Sequence, residues 1–323
     1  MDALAGLLYE VRSNGAIFGR NLLDSPWEIR IADQAPLTLV TMLRGSGWII
    51  PHQGKAVRLA NRDVALVSGP DPFTLTDNPH TNTEPRYIMY ANDECRSITG
   101  EEISSDLQLG VRTCGDRIDS PNTLITGTYQ VYGRVSDRLL SAIPDVLVVP
   151  DQGQLSPLLD LGETEIGRED PGQQAVLDRL LDLLLLATLR EWFAQPEGCP
   201  PPWYQAMSEP AVGPALRLLH ANPERDWTVA TLASEVGVSR ATLARRFSDL
   251  LGEPPMAYLA GWRLCIAADM LQSTDKTVDS IARHVGYSNA FALSAAFKRH
   301  FGVRPTEHRA LAAAALAPSG SRS

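Results

Sequence analysis

Residues 232–258 read LASEVGVSRATLARRFSDLLGEPPMAY, and residues 281–308 read IARHVGYSNAFALSAAFKRHFGVRPTEH. The second stretch repeats the first. Ala233, Val236 and Gly237 recur 49 residues on as Ala282, Val285 and Gly286. Leu243, Phe247, Gly252 and Pro255 recur 50 residues on as Leu293, Phe297, Gly302 and Pro305. The identities fall at apolar, Gly and Pro positions, so one backbone is built twice, with an extra residue in the second turn. Each copy predicts a helix, a tight turn at glycine and a second helix. A glycine just past a helix end supplies a left-handed residue at no steric cost. Ser239, and Ser288 or Asn289, stand where the second helix of each copy begins, and their side-chain oxygens can cap its free amides. Ala233 and Ala282 face the partner helix, where a small side chain allows close approach. This is helix-turn-helix grammar, written twice.

The charge distribution agrees. The 323-residue chain has a net charge of −9. Residues 1–211 hold 16 Lys and Arg against 29 Asp and Glu, whereas residues 212–309 hold 12 against 9. An acidic front joined to a mildly basic back fits a sensor attached to a nucleic-acid binder. Hydrophobic content of 44% and charged content of 21% exclude disorder as the main state. No apolar run reaches the ~18–20 residues of a membrane span, and MDALAGLLYE lacks a basic leader. A cytoplasmic protein with no membrane partner is expected. Cys95, Cys114, Cys199 and Cys265 form no CxxC pair, which argues against a disulfide framework and a structural zinc site.

Ahead of the repeat, short β-branched or aromatic segments alternate with turn residues. Strands are expected over Val11–Phe18, Trp27–Ala32, Leu37–Leu43, Gly47–Ile50, Ala56–Leu59, Asp63–Ser68, Arg86–Tyr90 and Thr123–Val131. His52-Gln53-Gly54 reads as a hairpin turn. Such spacing suggests an antiparallel barrel or sandwich. Asp151 to Gly172 reads as an acidic, Gly-rich connection. Gln173 to Gln195 predicts one long helix, apolar over most of its circumference. Such a helix needs more than one packing partner. Two readings fit: burial between the barrel and the next domain, or a dimer helix using Leu181, Leu184, Leu185 and Leu189. Pro196 to Pro214 reads as the domain boundary.

The repeat region resembles the DNA-binding domain of the AraC/XylS family of bacterial transcriptional regulators. The second copy carries Gly286-Tyr287-Ser288, Phe297-Lys298, Phe301-Gly302, Pro305 and Arg309. The first carries Ser239, Leu243, Arg245, Phe247, Gly252, Pro255 and Tyr258, and Trp262-Arg263 with Ala267 to Leu271 resembles the helix joining the two. The resemblance implies seven helices that set two reading helices in successive major-groove segments. Arg44-Gly45-Ser46-Gly47-Trp48, Leu59 to Asp63 and Val67-Ser68-Gly69-Pro70 resemble the cupin-type ligand-binding domain of many such regulators, its actinobacterial branch most. The metal-binding cupin pattern is not met. His52 stands alone in a turn, and Phe73 lies near where a later His would be expected.

The expected fold class is α+β multidomain, with an N-terminal cupin-like antiparallel β-barrel, following helices, and an all-α DNA-binding domain with two helix-turn-helix units. The expected layout is a sensor barrel over 1–172, a helical linker over 173–205, the DNA-binding domain over 206–312 and a disordered tail over 313–323. Arg240, Ala241, Ala244 and Arg245 of the first reading helix, and Asn289, Ala290 and Ser294 of the second, are the expected base readers. Arginine suits base reading because its fork bonds guanine O6 and N7 together. Phosphate contact, or pairing with Asp249 one turn on, is the alternative for Arg245. Ser239, Arg246, Ser288, Lys298 and Arg299 are the expected phosphate contacts. The second helix exposes Ala290, Phe291, Ala292, Ser294 and Ala295, so it is expected to anchor more than specify.

Double-stranded operator DNA is the expected partner, with RNA polymerase, a small-molecule effector in the barrel and a second copy of the chain. No metal, cofactor or catalytic residue is expected. Two rival readings are a metal-dependent cupin enzyme and a covalent cysteine switch. Asp71, Asp77 and His80 lack ligand spacing for the first. For the second, Arg96 and Arg112 lie near Cys95 and Cys114 in sequence, where a cation would favour the thiolate. No phosphate-binding Gly-rich loop or GxSxG element occurs.

Overall fold

In Trp27–Ile31 apolar residues alternate with Glu28 and Arg30, the pattern of a strand with one buried face. Ile29 and Ile31 are buried and Arg30 is exposed. Leu37–Leu43 shows no alternation and is buried throughout, because both of its faces are covered. The computed structural model describes residues 18–80, 84–91, 94–129, 143–195 and 200–316. The N-terminal residues 1–17, and with them most of the expected first strand, lie outside the described residues, as do Cys199 and residues 317–323 of the expected tail.

The strands are β1 (Phe18–Leu23), β2 (Glu28–Ile31), β3 (Leu37–Arg44), β4 (Gly47–Ile50), β5 (Val57–Leu59), β6 (Val64–Ser68), β7 (Phe73–Thr76), β8 (Tyr87–Met89), β9 (Cys95–Arg96), β10 (Gln108–Gly110), β11 (Thr113–Gly115), β12 (Asn122–Tyr129) and β13 (Val146–Val149). They form two sheets, ordered β10-β11-β1-β12-β3-β6-β13 and β5-β4-β7-β2-β8-β9. Leu23, Val40, Met42, Ala65, Val67 and Leu124 of the first sheet share a core with Ile29, Ile31, Ile49, Phe73, Leu75 and Tyr87 of the second. Tyr87 crosses that core and donates its hydroxyl to Asn21 Oδ1 at 3.0 Å. Burial pushes the Tyr87 hydroxyl well above its ordinary pKa, so it remains a donor. Among the described residues the β-rich domain is thus two open sheets face to face rather than a closed barrel. Two pairings, β1 with β11 and β2 with β8, are parallel. The hairpin expected at His52-Gln53-Gly54 joins β4 to β5, with Gly47 opposite Leu59.

After β9 comes a short helix, α1 (Ser104–Leu107). The segment read as a plain connection holds a further helix, α2 (Ser156–Ile166), which buries Leu159 and Ile166. The long helix forms as predicted, α3 (Gln173–Ala194). Its packing corrects the dimer reading. Leu181, Leu184, Leu185 and Leu189 are at most 1% exposed within the single chain. At Leu181 the first sheet supplies the cover: Tyr129 donates its hydroxyl to the Leu181 carbonyl at 2.8 Å, and a Cβ at Gly127 would come within 2.5 Å of Leu181 Cδ2. This helix belongs to the sheet domain's compact unit rather than to a linker. Its exposed large apolar residues are Val176 and Leu183.

Among the described residues the second compact unit has helices alone as its regular elements: α4 (Pro202–Ala206), α5 (Val212–Ala221), α6 (Val229–Glu235), α7 (Arg240–Leu251), α8 (Pro255–Ser273), α9 (Val278–His284), α10 (Ala290–Phe301) and α11 (Pro305–Leu316). It has two cores. Leu216, Leu219, Trp227, Leu232, Leu243, Phe247, Tyr258 and Leu259 build one. Leu264, Ala267, Ala268, Leu271, Ile281, Leu293 and Phe297 build the other. The 19-residue α8 starts in the first core and ends in the second.

Candidate nucleic-acid interface

The tandem units begin with capped helices. Thr228 caps α6, accepting from the Thr231 amide at 3.0 Å, and Thr231 returns the bond to the Thr228 amide at 2.9 Å. Thr277 does the same service for α9, accepting from the Ser280 amide at 3.2 Å. The turn residues Gly237 and Gly286 have φ of +72° and +81°, the left-handed region the sequence required of them. Helix α6 to α9 is an offset of 49 and α7 to α10 an offset of 50, so the extra residue lies in the second turn.

The reading helices are also capped. Ser239 accepts from the Thr242 amide at 3.1 Å. In the second unit the cap is Asn289, which accepts from the Ala292 amide at 2.9 Å. That occupies the side-chain oxygen of a residue expected to read bases, so Asn289 is foremost a helix cap. Ser288 remains exposed beside it. Asp279 of α9, not singled out from sequence, accepts from the Ala290 amide at 3.3 Å and pairs with Arg283. The Arg283 guanidinium holds that carboxyl below the usual carboxylate range. It fixes where the second reading helix starts.

Leu243 and Phe247 bury one side of α7, and Leu293 and Phe297 bury the same side of α10. The opposite sides differ. On α7, Arg240, Ala241 and Arg245 are exposed and Ala244 is half-buried. Among the described residues neither arginine makes an ion pair, and the alternative pairing of Arg245 with Asp249 does not form. On α10, Ala290, Ala292 and Ser294 are half-buried, Ala295 is exposed and Phe291 is 84% exposed. Lys298 and Arg299 follow, both exposed. Arg246 departs from expectation. Its guanidinium lies 2.8 Å from Glu209, which also accepts from the amides of Ala211 and Val212. Burial pushes the Glu209 carboxyl up, but the two amides and Arg246 together hold it below the usual carboxylate range. Arg246 therefore ties α7 to the start of α5 through one nitrogen of its guanidinium.

In the sheet domain the rival chemistries find little support. Among the described residues no group of three or more His, Cys, Asp or Glu is placed to hold a metal. Cys95 is 1% exposed, and Cys114 is partly buried. The two arginines near them in sequence are engaged elsewhere, Arg96 with Glu94 and Arg112 with Gln174. No helix among the described residues is long and apolar enough to cross a membrane.

A family model described as "Cupin" matches residues 2–194, and one described as "Helix-turn-helix domain" matches residues 232–310. A chain from Streptomyces lividans named as an AraC-like transcription regulator is 28% identical over 317 residues, which is 96% of this chain and 98% of that protein. The HTH-type transcriptional regulator AlkR of Acinetobacter baylyi is 27% identical over 318 residues, covering 96% of this chain and 99% of its own. Among solved structures, the DNA-binding domain of AdpA in complex with a target DNA is 31% identical, over 35% of this chain and 100% of that one, with a TM-score of 0.33.

Proposed function

Because this chain belongs to the AraC/XylS family of DNA-binding transcriptional regulators and carries an N-terminal cupin domain, we propose that it reads a two-part operator, one part with each helix-turn-helix unit. The observation that carries this reading is the pair of capped helices with matched buried faces and unlike outer faces. Arg240 and Arg245, exposed and without an ion pair among the described residues, supply guanine contacts in one half, with Ala241 and Ala244 beside them. Ala290 and Ser294 line the other half. Ser239, Ser288, Lys298 and Arg299 approach the phosphates, which set register and carry most of the salt dependence.

The cupin domain takes a small-molecule effector, and its occupancy alters operator affinity. The chain acts in the cytoplasm on promoter DNA, alongside RNA polymerase. A homodimer is compatible with α3 only through the outer face, where Val176 and Leu183 are exposed. Light scattering of the Leu183→Lys variant tests that: a mass unchanged from the wild type would discard this face.

Selection of bound duplexes from a random pool by the full-length protein tests the main reading. The expected result is a motif with two informative halves about one helical turn apart. Recovery of no motif at low salt would overturn it.

A further inference from the structure

Between the two helical cores lies a seam, where Trp262 and Cys265 are buried against Trp203 and Ile266 and one charged side chain stands beside them. Tyr258 and Leu259 of α8 belong to the first core, and Leu264 and Ala267 to the second. Arg263 stands between them. Its Nε donates to the Pro223 carbonyl at 2.6 Å and its Nη2 to the Arg225 carbonyl at 2.9 Å. Those carbonyls belong to the loop that leads into α6, in the first unit. The same guanidinium lies against the turn of the second unit. A Cβ at Gly286 would come within 2.6 Å of Arg263 Nη2 and 2.8 Å of the Glu224 carbonyl oxygen. The loop of one unit, the joining helix and the turn of the other thus meet at one planar cation. Burial lowers the Arg263 pKa from its ordinary value, which marks how far this charge is withdrawn from water.

The second unit has its own arginine of similar habit. Arg309 on α11 donates to the carbonyls of Leu271 and Thr274 at 3.1 and 3.3 Å. Those contacts stay within the second unit. Arg263 alone of the two reaches the seam.

We propose that Arg263 is a positioning residue that fixes the angle and separation of the two reading helices, so that the operator halves are recognised at one spacing. This rests on the two-part reading above. Two cores strung on successive turns of one helix can rock about its axis. A guanidinium held by two carbonyls and pressed against a glycine turn opposes that rocking. When the second half binds after the first, the event is intramolecular, and a fixed geometry concentrates it at one spacing. Loosening the seam lowers affinity at that spacing and widens the spacings tolerated.

The experiment uses the full-length protein and a duplex enriched by the wild type from a random pool. Companion duplexes carry one or two base pairs inserted between the halves, or one half scrambled. Arg263→Met keeps the aliphatic stem, and Arg263→Lys keeps the charge with fewer donors. The wild type is expected to lose about tenfold or more on insertion of one base pair. Arg263→Met should bind the native spacing about tenfold more weakly, with a flattened spacing profile and unchanged affinity for the half-scrambled duplexes. Arg263→Lys should fall between. A wild-type spacing profile in Arg263→Met overturns the proposal, and so does an equal loss on every duplex, which would mark a folding defect instead. Enrichment of no two-part motif by the wild type overturns the operator reading and this proposal with it.

Discussion

The two helix-turn-helix units share a buried half and differ in the half they present. Leu243 and Phe247 in one, and Leu293 and Phe297 in the other, hold the reading helix against its partner in the same way. The outer faces are unlike. The first presents Arg240 and Arg245, while the second presents alanines, Ser294 and Phe291. A repeated backbone constrains only the positions that build it. The exposed positions are left to chemistry, and the two copies have used them differently.

The largest expected effect concerns the shared half. Phe247 and Phe297 are both fully buried, so Phe→Ala at either should cost about 3–5 kcal/mol of stability. Because the cores are separate, Phe297→Ala should unfold α9 to α11 and leave the Arg245-dependent half of the operator protected. Hydrogen exchange read unit by unit, together with footprinting, checks this. Loss of protection in both units at once would mean that the two cores fold as one.

Next comes the contrast in reading. Arg245→Ala should cost ~1–3 kcal/mol and relax preference at one or two base pairs of a single half. Lys298→Ala should weaken all sequences alike and reduce the slope of log K against log salt by about one. Saturation mutagenesis of the enriched duplex, repeated at two salt concentrations, measures both. A dominant half that ignores Arg245→Ala would reverse the assignment of reader and anchor.

A smaller effect is expected from the apolar face of the second helix. Phe291, 84% exposed in the first turn of α10, has no counterpart in Ala241 of the first unit. An aromatic ring there suits the thymine methyl, which sits in the major groove. Replacing thymine by deoxyuridine removes only that methyl. The substitution should weaken wild-type binding a few-fold in the second half and leave Phe291→Ala unaffected. Equal sensitivity of both proteins would remove Phe291 from the readout.

How far the sequence could be read follows from the same division. The tandem helices were legible to the residue offset, because glycine turns and apolar spacing are demands of the backbone. Most of the longer strands were legible as well. The two-residue β9 and the three-residue β10 and β11 were not, and neither were β7, β13 and β1, which begins where the expected first strand ends. Helix α2 was hidden because DLGETEI looks like an acidic loop. The α3 leucines show the limit of pattern. An apolar circumference says that a helix is covered, and Leu181, Leu184, Leu185 and Leu189 turned out to be covered by their own domain. Of the two caps the sequence offered for the second reading helix the structure uses Asn289, whereas the Glu209 partner of Arg246 was not legible, because sequence shows a polar side chain but not what already holds it.

That partner, Glu209, gives the smallest effect and a further way to separate the units. Glu209 holds two amides at the start of α5 and the Arg246 guanidinium of α7, and all of these belong to the first unit. Burial opposes its ionisation, yet the amides and the arginine prevail, so its folded pKa lies below the ordinary value. The unfolded chain then takes up a proton at higher pH than the folded one. The stabilisation is present in full above the ordinary Glu range, about pH 4.3, and fades as pH falls through the folded pKa. In Glu209→Gln this acid-side loss should vanish, because the amide side chain does not titrate there, while the melting temperature near neutrality falls slightly. The second unit holds Asp279 in a comparable pair with Arg283, but on an exposed surface. Solvent screening makes that pair worth less. Thermal melts from pH 3 to 7 should therefore show a smaller change for Asp279→Asn than for Glu209→Gln. Equal changes would mean that the cap at α5 contributes no more than a surface ion pair.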